Sequence, residues 1–369
     1  MNYIFLAGGR TGGPIIPLIA TSQSLLDYTP IILGIKNSFE EKYAKDHNIL
    51  FIYLFEAKSR YHSFKNRSFL SKLASYINLI FSIILLFLNI IKMIFFIIRF
   101  RPKGILSAGG FTAVPAIYAA KITNVTKSTS VKIIIHQQDP DIGLTNKITS
   151  KFANYLTCVF QFTKNDPLFG KAKIIYNPID SNKFDTASTA TIDNKFANFF
   201  EKNKNQKTLL IFGGGSGAEA INKWVWENEE SLLRNFSIIH LTGNLQNTKP
   251  KSVNSAAYLS LPSVYDEMPY LIQKSNLVLC RAGMSSISEL LYLSKNAFLV
   301  PIPNSHQENN ANQVKDYFEI LDQRNTTDWL QTILLKYPTC FEQKVYPKPE
   351  DFKNSMTNYI SDIRNILDK

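Results

Sequence analysis

Three times in this chain a short apolar run breaks into clustered glycines and then enters a stretch that can fold as a helix. The first is Asn2–Ala7, followed by Gly8-Gly9-Arg10-Thr11-Gly12-Gly13-Pro14 and a helix expected over Leu18–Leu26. The second is Ile105-Leu106-Ser107-Ala108-Gly109-Gly110-Phe111, with Pro115 opening the next helix. The third runs from Thr208–Phe212 into Gly213-Gly214-Gly215-Ser216-Gly217. A strand buried on both faces reads as a continuous apolar run, and a glycine turn sends the chain back along a helix. A single glycine loop is compatible with nothing more than a tight turn that packs helix on strand. Three of them, interleaved with apolar runs at Ile31–Leu33, Leu50–Leu54 and Val131–Ile135, repeat a Rossmann-like order of strand, glycine loop and helix and are more specific together than any one loop. At 369 residues the chain is long enough for two domains, each with its own core. The tract Asp185–Lys207, polar and without hydrophobic period in its first half, reads as the boundary.

The stretch Leu277–Ala311 carries the densest chemistry. Leu277–Cys280 reads as a buried strand, Arg281-Ala282-Gly283 as a turn, and Ser285, Ser286 and Ser288 as the opening of a helix. Ser286 is the expected N-cap, which puts Glu289 at the capping-box position and gives it a purely structural role to weigh against a binding one. A glycine turn into a helix N-terminus presents free N–H groups and the positive end of the helix dipole, a site for a diphosphate. A second strand is expected over Ala297–Ile302, and His306-Gln307-Glu308-Asn309-Asn310-Ala311 follows as a loop rich in amides. Loops at the carboxyl ends of parallel strands are where open α/β sheets bind ligands.

This stretch resembles the nucleotide-sugar half of GT-B glycosyltransferases, most closely the MurG family (glycosyltransferase family 28). The glycine loops, Gly143-Leu144-Thr145-Asn146-Lys147, Asn177-Pro178 and Tyr265-Asp266-Glu267-Met268 extend the resemblance over nearly the whole chain. It implies two Rossmann-like domains facing a cleft, an acceptor domain over 1–180, a UDP-sugar domain over 181–345, and a C-terminal helix within 346–369 crossing back to the first domain. The apolar spacing of Tyr359, Ile360, Ile363, Ile366 and Leu367 independently predicts an amphipathic helix there. The implied activity is inverting transfer of N-acetylglucosamine from UDP-N-acetylglucosamine to lipid I, making lipid II for peptidoglycan, with no cofactor and no metal. By resemblance, Arg281, Gly283, Ser285 and Ser286 hold the donor diphosphate and Glu289 the ribose hydroxyls. Gln307 and Asn310 read the sugar, while Gly214, Ser216 and Met268 complete the donor site. Gly9, Thr11, Gly12, Gly13, Gly109 and Gly110 hold the acceptor diphosphate.

Tyr76–Phe100, YINLIFSIILLFLNIIKMIFFIIRF, is long enough to span a bilayer and holds only Lys92 as a charge before Arg99. Spanning would put the first two glycine loops on opposite sides of a membrane and dismember one sheet. Two readings remain, a buried crossover helix and a monotopic helix whose outer face enters the lipid interface, flanked by Lys65, Arg67, Arg99, Arg101 and Lys103. The second is favoured, because apolar residues all round the helix exceed what packing on a sheet requires. The net charge of +12 agrees with attraction to anionic lipid as well as with a Lys-rich composition. No basic-aromatic module for nucleic acid is present. Cys158, Cys280 and Cys340 are widely spaced, as expected of a reducing cytoplasm, and the N-terminus enters a strand without the basic start of a signal peptide. The expected location is the cytoplasmic face of the membrane.

The sequence departs from the family pattern where catalysis is concerned. Pro14 stands where a His usually follows Thr-Gly-Gly, and Asp180 where an Arg usually follows Asn-Pro-Val. His-Glu-Gln-Asn becomes His136-Gln137-Gln138-Asp139, and Gly215-Ser216 replaces Ser-Gln. Asp139 and His136 are the candidates left for the base that deprotonates the acceptor hydroxyl. His136 reads equally as a hydrogen-bonded core histidine. Two alternatives stand beside the lipid I reading: a related transferase acting on another lipid, such as a diacylglycerol or a sterol, and a homologue that binds UDP-sugar or lipid precursor without turnover.

Overall fold

The computed structural model describes residues 1–9, 12–56, 69–163, 165–185, 193–214, 217–243, 256–337, 339, 341 and 344–369, with 69–76 described by their backbone alone. Thr11 and Ser216, and the flanking Lys65 and Arg67, lie outside the described residues.

The first sheet is built from β1 (Asn2–Ala7), β2 (Tyr28–Gly34), β3 (Leu50–Tyr53), β4 (Gly104–Ser107), β5 (Lys132–Gln137), β6 (Tyr155–Cys158) and β7 (Lys173–Ile174). Its order is β3-β2-β1-β4-β5-β6-β7. The second holds β8 (Lys207–Phe212), β9 (Phe236–Leu241), β10 (Tyr258–Leu261), β11 (Leu277–Cys280), β12 (Ala297–Leu299) and β13 (Glu319–Ile320), in the order β10-β9-β8-β11-β12-β13. Every pairing among the described residues is parallel. In both sheets the winding direction reverses once, between β1 and β4 and between β8 and β11, and a crevice opens outside the strand ends at such a point. The three glycine loops and the Arg281–Gly283 turn all leave these four strands.

The two loops of the first sheet stand back to back. Gly110 has φ +80°, and a Cβ on it would run into the backbone of Gly8 and Gly9. Thr112 Oγ1 donates to the Gly8 carbonyl and closes the junction. The C-terminal helix Pro349–Leu367 crosses back to this sheet and buries Tyr359, Ile360, Ile363 and Leu367 against Ile4, Leu6, Leu106 and Ile134. Tyr155 and Lys173 both bond Asp362 from the sheet side.

Several local expectations change. The first helix spans Gly12–Ser24, starting six residues before Leu18, because Pro14 needs no N–H partner in a first turn. The Val131–Ile135 strand continues to Gln137, which puts His136 inside it. Only Ala297–Leu299 of the expected Ala297–Ile302 pairs as a strand, since Pro301 and Pro303 have no N–H for a ladder. His306–Gln313 is a helix capped by Ser305, whose Oγ accepts from Gln307 N at 3.2 Å, and not a loop. The helix Met284–Tyr292 is capped by Gly283, so Ser286 lies inside its first turn and Glu289 sits in no capping box.

The apolar segment forms one helix, Phe69–Phe100, packed on the helix Ala113–Val125. Met93 and Ile97 are buried there, and Asn89 bonds both the N–H and the carbonyl of Phe55. From Ile77 to Phe87 it is largely bare, with Ile77, Ile80, Phe81, Ile84 and Phe87 exposed. Among the described residues it is the one helix long and apolar enough to cross a membrane.

Candidate active site at the interdomain cleft

Of the residues expected to hold the donor, Gly214, Arg281, Gly283, Ser285, Ser286 and Glu289 follow β8 and β11, whose ends pair as Phe212 with Cys280. Among the described residues, a Cβ on Gly283 or Gly214 would meet no atom within 4 Å, and Gly214 takes φ +89°. The first-turn amides of Met284–Tyr292 have no intrahelical acceptor, and the Gly283 cap supplies no side chain to bond them. Ser285 Oγ crosses the cleft to donate to the Gly13 carbonyl at 3.1 Å. Ser286 is half-buried one residue further in. Glu289 is half-buried on the same helix, and burial pushes its carboxyl up to about 7 against the opposing pull of Lys183. Its charge reaches Tyr265.

Arg281 is buried and its Nη1 donates to the carbonyls of Val300 (3.0 Å) and Pro301 (3.5 Å), bracing the end of β12. That Nη1 is therefore committed to the protein's own backbone. Gln307 Oε1 accepts from Ile302 N at 3.2 Å, which holds the same turn. Asn310 is fully buried, and its Nδ2 donates to Asp139 Oδ1 (2.9 Å) and to the Ala282 carbonyl (3.1 Å). Among the described residues its Oδ1 has no partner, an unmet acceptor in the site. Met268 begins the helix Met268–Lys274 and packs, partly buried, on the second domain's core.

On the acceptor side Gly9 approaches Gly110, and Gly12 and Gly13 form the first turn of their helix. Gly109 takes φ +96°. His136 is withdrawn from the cleft: it is 1% exposed, its Nδ1 pairs with Thr157 Oγ1 and its Nε2 with Asn177 Oδ1, both at 3.0 Å. Burial lowers its pKa to about 4, so the ring is neutral and fully engaged. In this geometry it is a core histidine. Asp139 instead stands half-buried at the cleft, beyond the end of β5. Burial raises its pKa, the Asn310 bond and then His306 pull it down, and Asp141 adds a small upward push.

Sequence reading missed the contacts that join the two halves. Asn309 Nδ2 donates to Asp141 Oδ2 at 2.6 Å beside the Asn310–Asp139 bond, so two amides meet two carboxylates across the cleft. Tyr265 inserts among Phe39, Tyr43 and His47 of the first domain, at centroid distances of 5.4, 5.1 and 6.5 Å. Asp266 meets Lys183 at 2.8 Å and His47 Nε2 at 3.6 Å. The charge of Asp180 is felt at Tyr43, whose hydroxyl burial pushes up to about 12. The signal in each case was a polar or aromatic residue in a loop, with no local pattern to name its partner.

Two family models match the chain: the glycosyltransferase family 28 N-terminal domain over residues 4–157 and the C-terminal domain over 208–362. The UDP-N-acetylglucosamine--N-acetylmuramyl-(pentapeptide) pyrophosphoryl-undecaprenol N-acetylglucosamine transferase of Borreliella burgdorferi is 32% identical over 308 residues, 81% of this chain and 76% of that protein. The protein of the same name from Clostridium botulinum is 25% identical over 371 residues, covering 99% of this chain and 94% of its own. Among solved structures, Acinetobacter baumannii MurG superposes with a TM-score of 0.63 at 19% identity, covering 99% of this chain and 100% of that one. The UDP-GlcNAc 2-epimerase of Neisseria meningitidis, solved with UDP-GlcNAc, reaches 0.62 at 15% identity over 99% of this chain and 100% of its own. The structural likenesses establish the GT-B fold, and the paired domain matches with the sequence relatives establish the lineage: the chain belongs to glycosyltransferase family 28.

Proposed function

We propose that this chain transfers N-acetylglucosamine from UDP-N-acetylglucosamine to the muramoyl hydroxyl of lipid I, with inversion at the anomeric carbon. The observation that carries the reading is the open Gly283-capped helix end, with Glu289 on the same helix, facing Asp139 across the cleft. UDP would lie with its diphosphate on the free amides of Ser285 and Ser286 and its ribose on Glu289. Residues 1–180 would hold the acceptor and 181–345 the donor. The fixed amides stabilise the charge that develops on the leaving β-phosphate, where a preorganised donor in a dry site is most effective. The acceptor oxygen forms the new bond to the anomeric carbon as the bond to UDP breaks, and its proton passes to Asp139. A carboxyl raised by burial is suited to take that proton. The Asn310 amide would release Asp139 to the acceptor and turn to the sugar, which also supplies a donor for its unmet Oδ1.

The exposed apolar turns of Phe69–Phe100 support monotopic contact with the cytoplasmic face of the membrane, where a polyprenyl acceptor is presented. The test is turnover: purified enzyme in anionic lipid, lipid I and radiolabelled UDP-N-acetylglucosamine should yield lipid II and UDP in equal amounts. UDP binding without product would favour the non-catalytic reading, to which Pro14 in the first helical turn lends its weight. Product from a diacylglycerol but not from lipid I would favour another acceptor.

A further inference from the structure

Gln137 is 3% exposed, and three hydrogen bonds fix which way its amide faces. Nε2 donates to the carbonyls of Asp139 at 2.7 Å and Asp141 at 2.9 Å. Carbonyl oxygens only accept, so the nitrogen must face them and Oε1 must face away. Oε1 accepts from Asn146 Nδ2 at 2.7 Å, and Asn146, itself 3% exposed, sits on the helix Leu144–Thr149. The turn 139–141 is thus held from below through its backbone, while its two carboxylates point across the cleft to Asn310 and Asn309. We propose that Gln137 is a positioning residue for transfer: its amide clamps the 139–141 turn so that Asp139 meets the substrates and Asp141 meets Asn309. The inference rests on Asp139 being the base.

In this chain, where Gln137 and Asp139 stand in place of the family pattern's Glu and Asn, the contacts call for an amide and not merely for a side chain of that size. A glutamate has the same shape, but its ionised form has no donor and would set a negative charge against two carbonyl oxygens. Its protonated form regains one donor. Gln137→Glu therefore makes a clamp that closes in acid and opens in base. Asp139 would shift with the turn, and a displacement of about 1 Å at a catalytic group costs on the order of 100-fold in rate.

The full chain is assayed in single turnovers with lipid I and UDP-N-acetylglucosamine at pH 6 and pH 8.5, alongside hydrogen exchange over 138–143. Gln137→Glu should transfer about 100-fold more slowly than the wild type at the higher pH, with the gap narrowing at the lower one. UDP affinity should stay within about twofold, since the donor half is untouched. Exchange over 138–143 should quicken at pH 8.5 only. In an Asp139→Asn background, adding Gln137→Glu should cost nothing further in rate. Unchanged exchange at pH 8.5, or the same loss with and without Asp139, overturns the proposal. If Asp139→Asn alone transfers at the wild-type rate, the base assignment has failed, and the exchange measurement still decides the clamp. Should Gln137→Glu not fold at pH 8.5, Gln137→Met replaces it, with faster exchange and slower transfer expected at both pH values.

Discussion

Replacing Glu289 by Gln keeps the side chain's shape and removes its charge, which separates two effects. Burial displaces this carboxyl from 4.5 to about 7. At about 1.4 kcal/mol for each tenfold change in proton affinity, that displacement is worth at most roughly 3–4 kcal/mol. The folded state binds the proton more tightly than the unfolded one, so the cost of the buried charge is absent below 4.5, grows through the interval, and is complete above about 7. Glu289→Gln should therefore unfold at higher denaturant than the wild type at pH 8, and the difference should vanish near pH 4. UDP binding should move the other way. A carboxylate accepting ribose hydroxyls makes hydrogen bonds of about 1.5–3 kcal/mol, so the variant should lose roughly 10- to 100-fold in UDP affinity at pH 8. Calorimetry at several pH values checks this. The ratio of wild-type to variant affinity should grow as pH rises through 7, and taking the ratio cancels the titration of the nucleotide's own terminal phosphate. A folded, more stable variant with unchanged UDP affinity at pH 8 would mean that Glu289 touches no ribose, and the donor assignment would fall.

Asp139→Asn should bind UDP-N-acetylglucosamine nearly as the wild type does and transfer it roughly 10²–10⁴-fold more slowly, the scale of a lost general base. A rate that holds or rises would mean that Asp139 only hydrogen-bonds the sugar. Gly110→Ala should destabilise the first domain by about 2 kcal/mol or more in chemical denaturation, from strain at positive φ and the clash with Gly8 and Gly9. Unchanged stability would refute the back-to-back packing. Polar substitution of Phe81 and Phe87 should abolish co-sedimentation with anionic vesicles. Charge reversal at Arg99 and Arg101 should weaken it by about 1 kcal/mol per residue and make it less salt-sensitive. Binding indifferent to all four positions would leave the helix without a membrane role.

The strands β1, β4, β5, β8 and β11 were legible because each is a run of apolar residues closed by a turn residue, a local signal; β9, fully buried yet carrying Ser237 and His240, offers no such run and was not read. The helix Pro349–Leu367 was legible for the same reason, through the spacing of its apolar face. Helix starts were read less well. Ser286 looks like a cap by type, yet Gly283 takes the extended backbone, φ −82° and ψ 139°, that a cap needs, and the helix begins there. Ser305 does cap, following a proline-interrupted strand, and turns an apparent loop into a helix. The candidate site divided along the same line. The glycine loops could be placed at strand ends by their motifs, while Asp139 and His136 looked equivalent in a four-residue string. The register of β5 separates them: His136 is buried inside the strand, and Asp139 lies past its end. The contacts Asp139–Asn310 and Ser285–Gly13 join residues 171 and 272 positions apart, and no local pattern reaches that far.

The apolar helix acquires a direction from the same topology. All strands of the first sheet are parallel, so β1, β3 and β4 end at one edge, the edge that carries the acceptor-side glycine loops. The chain leaves β3 at that edge, and Asn89 ties the middle of Phe69–Phe100 to Phe55, two residues past the end of β3. At 1.5 Å per residue, Ile77 then stands about 18 Å beyond Asn89 along the helix axis. The buried positions Met93 and Ile97 lie on the other side of Asn89, where the helix returns toward the start of β4. The bare turns therefore project past the glycine-loop edge of the sheet. An acceptor with a diphosphate head and a prenyl tail needs a polar cradle and an apolar surface on one side of the protein. Burying Ile77, Ile80, Phe81, Ile84 and Phe87 in lipid, at roughly 1.5–3 kcal/mol for each side chain fully buried, would hold that edge against the bilayer. The diphosphate would then reach the loops without leaving the interface, and the donor domain, joined across the cleft, would stay in water where UDP arrives.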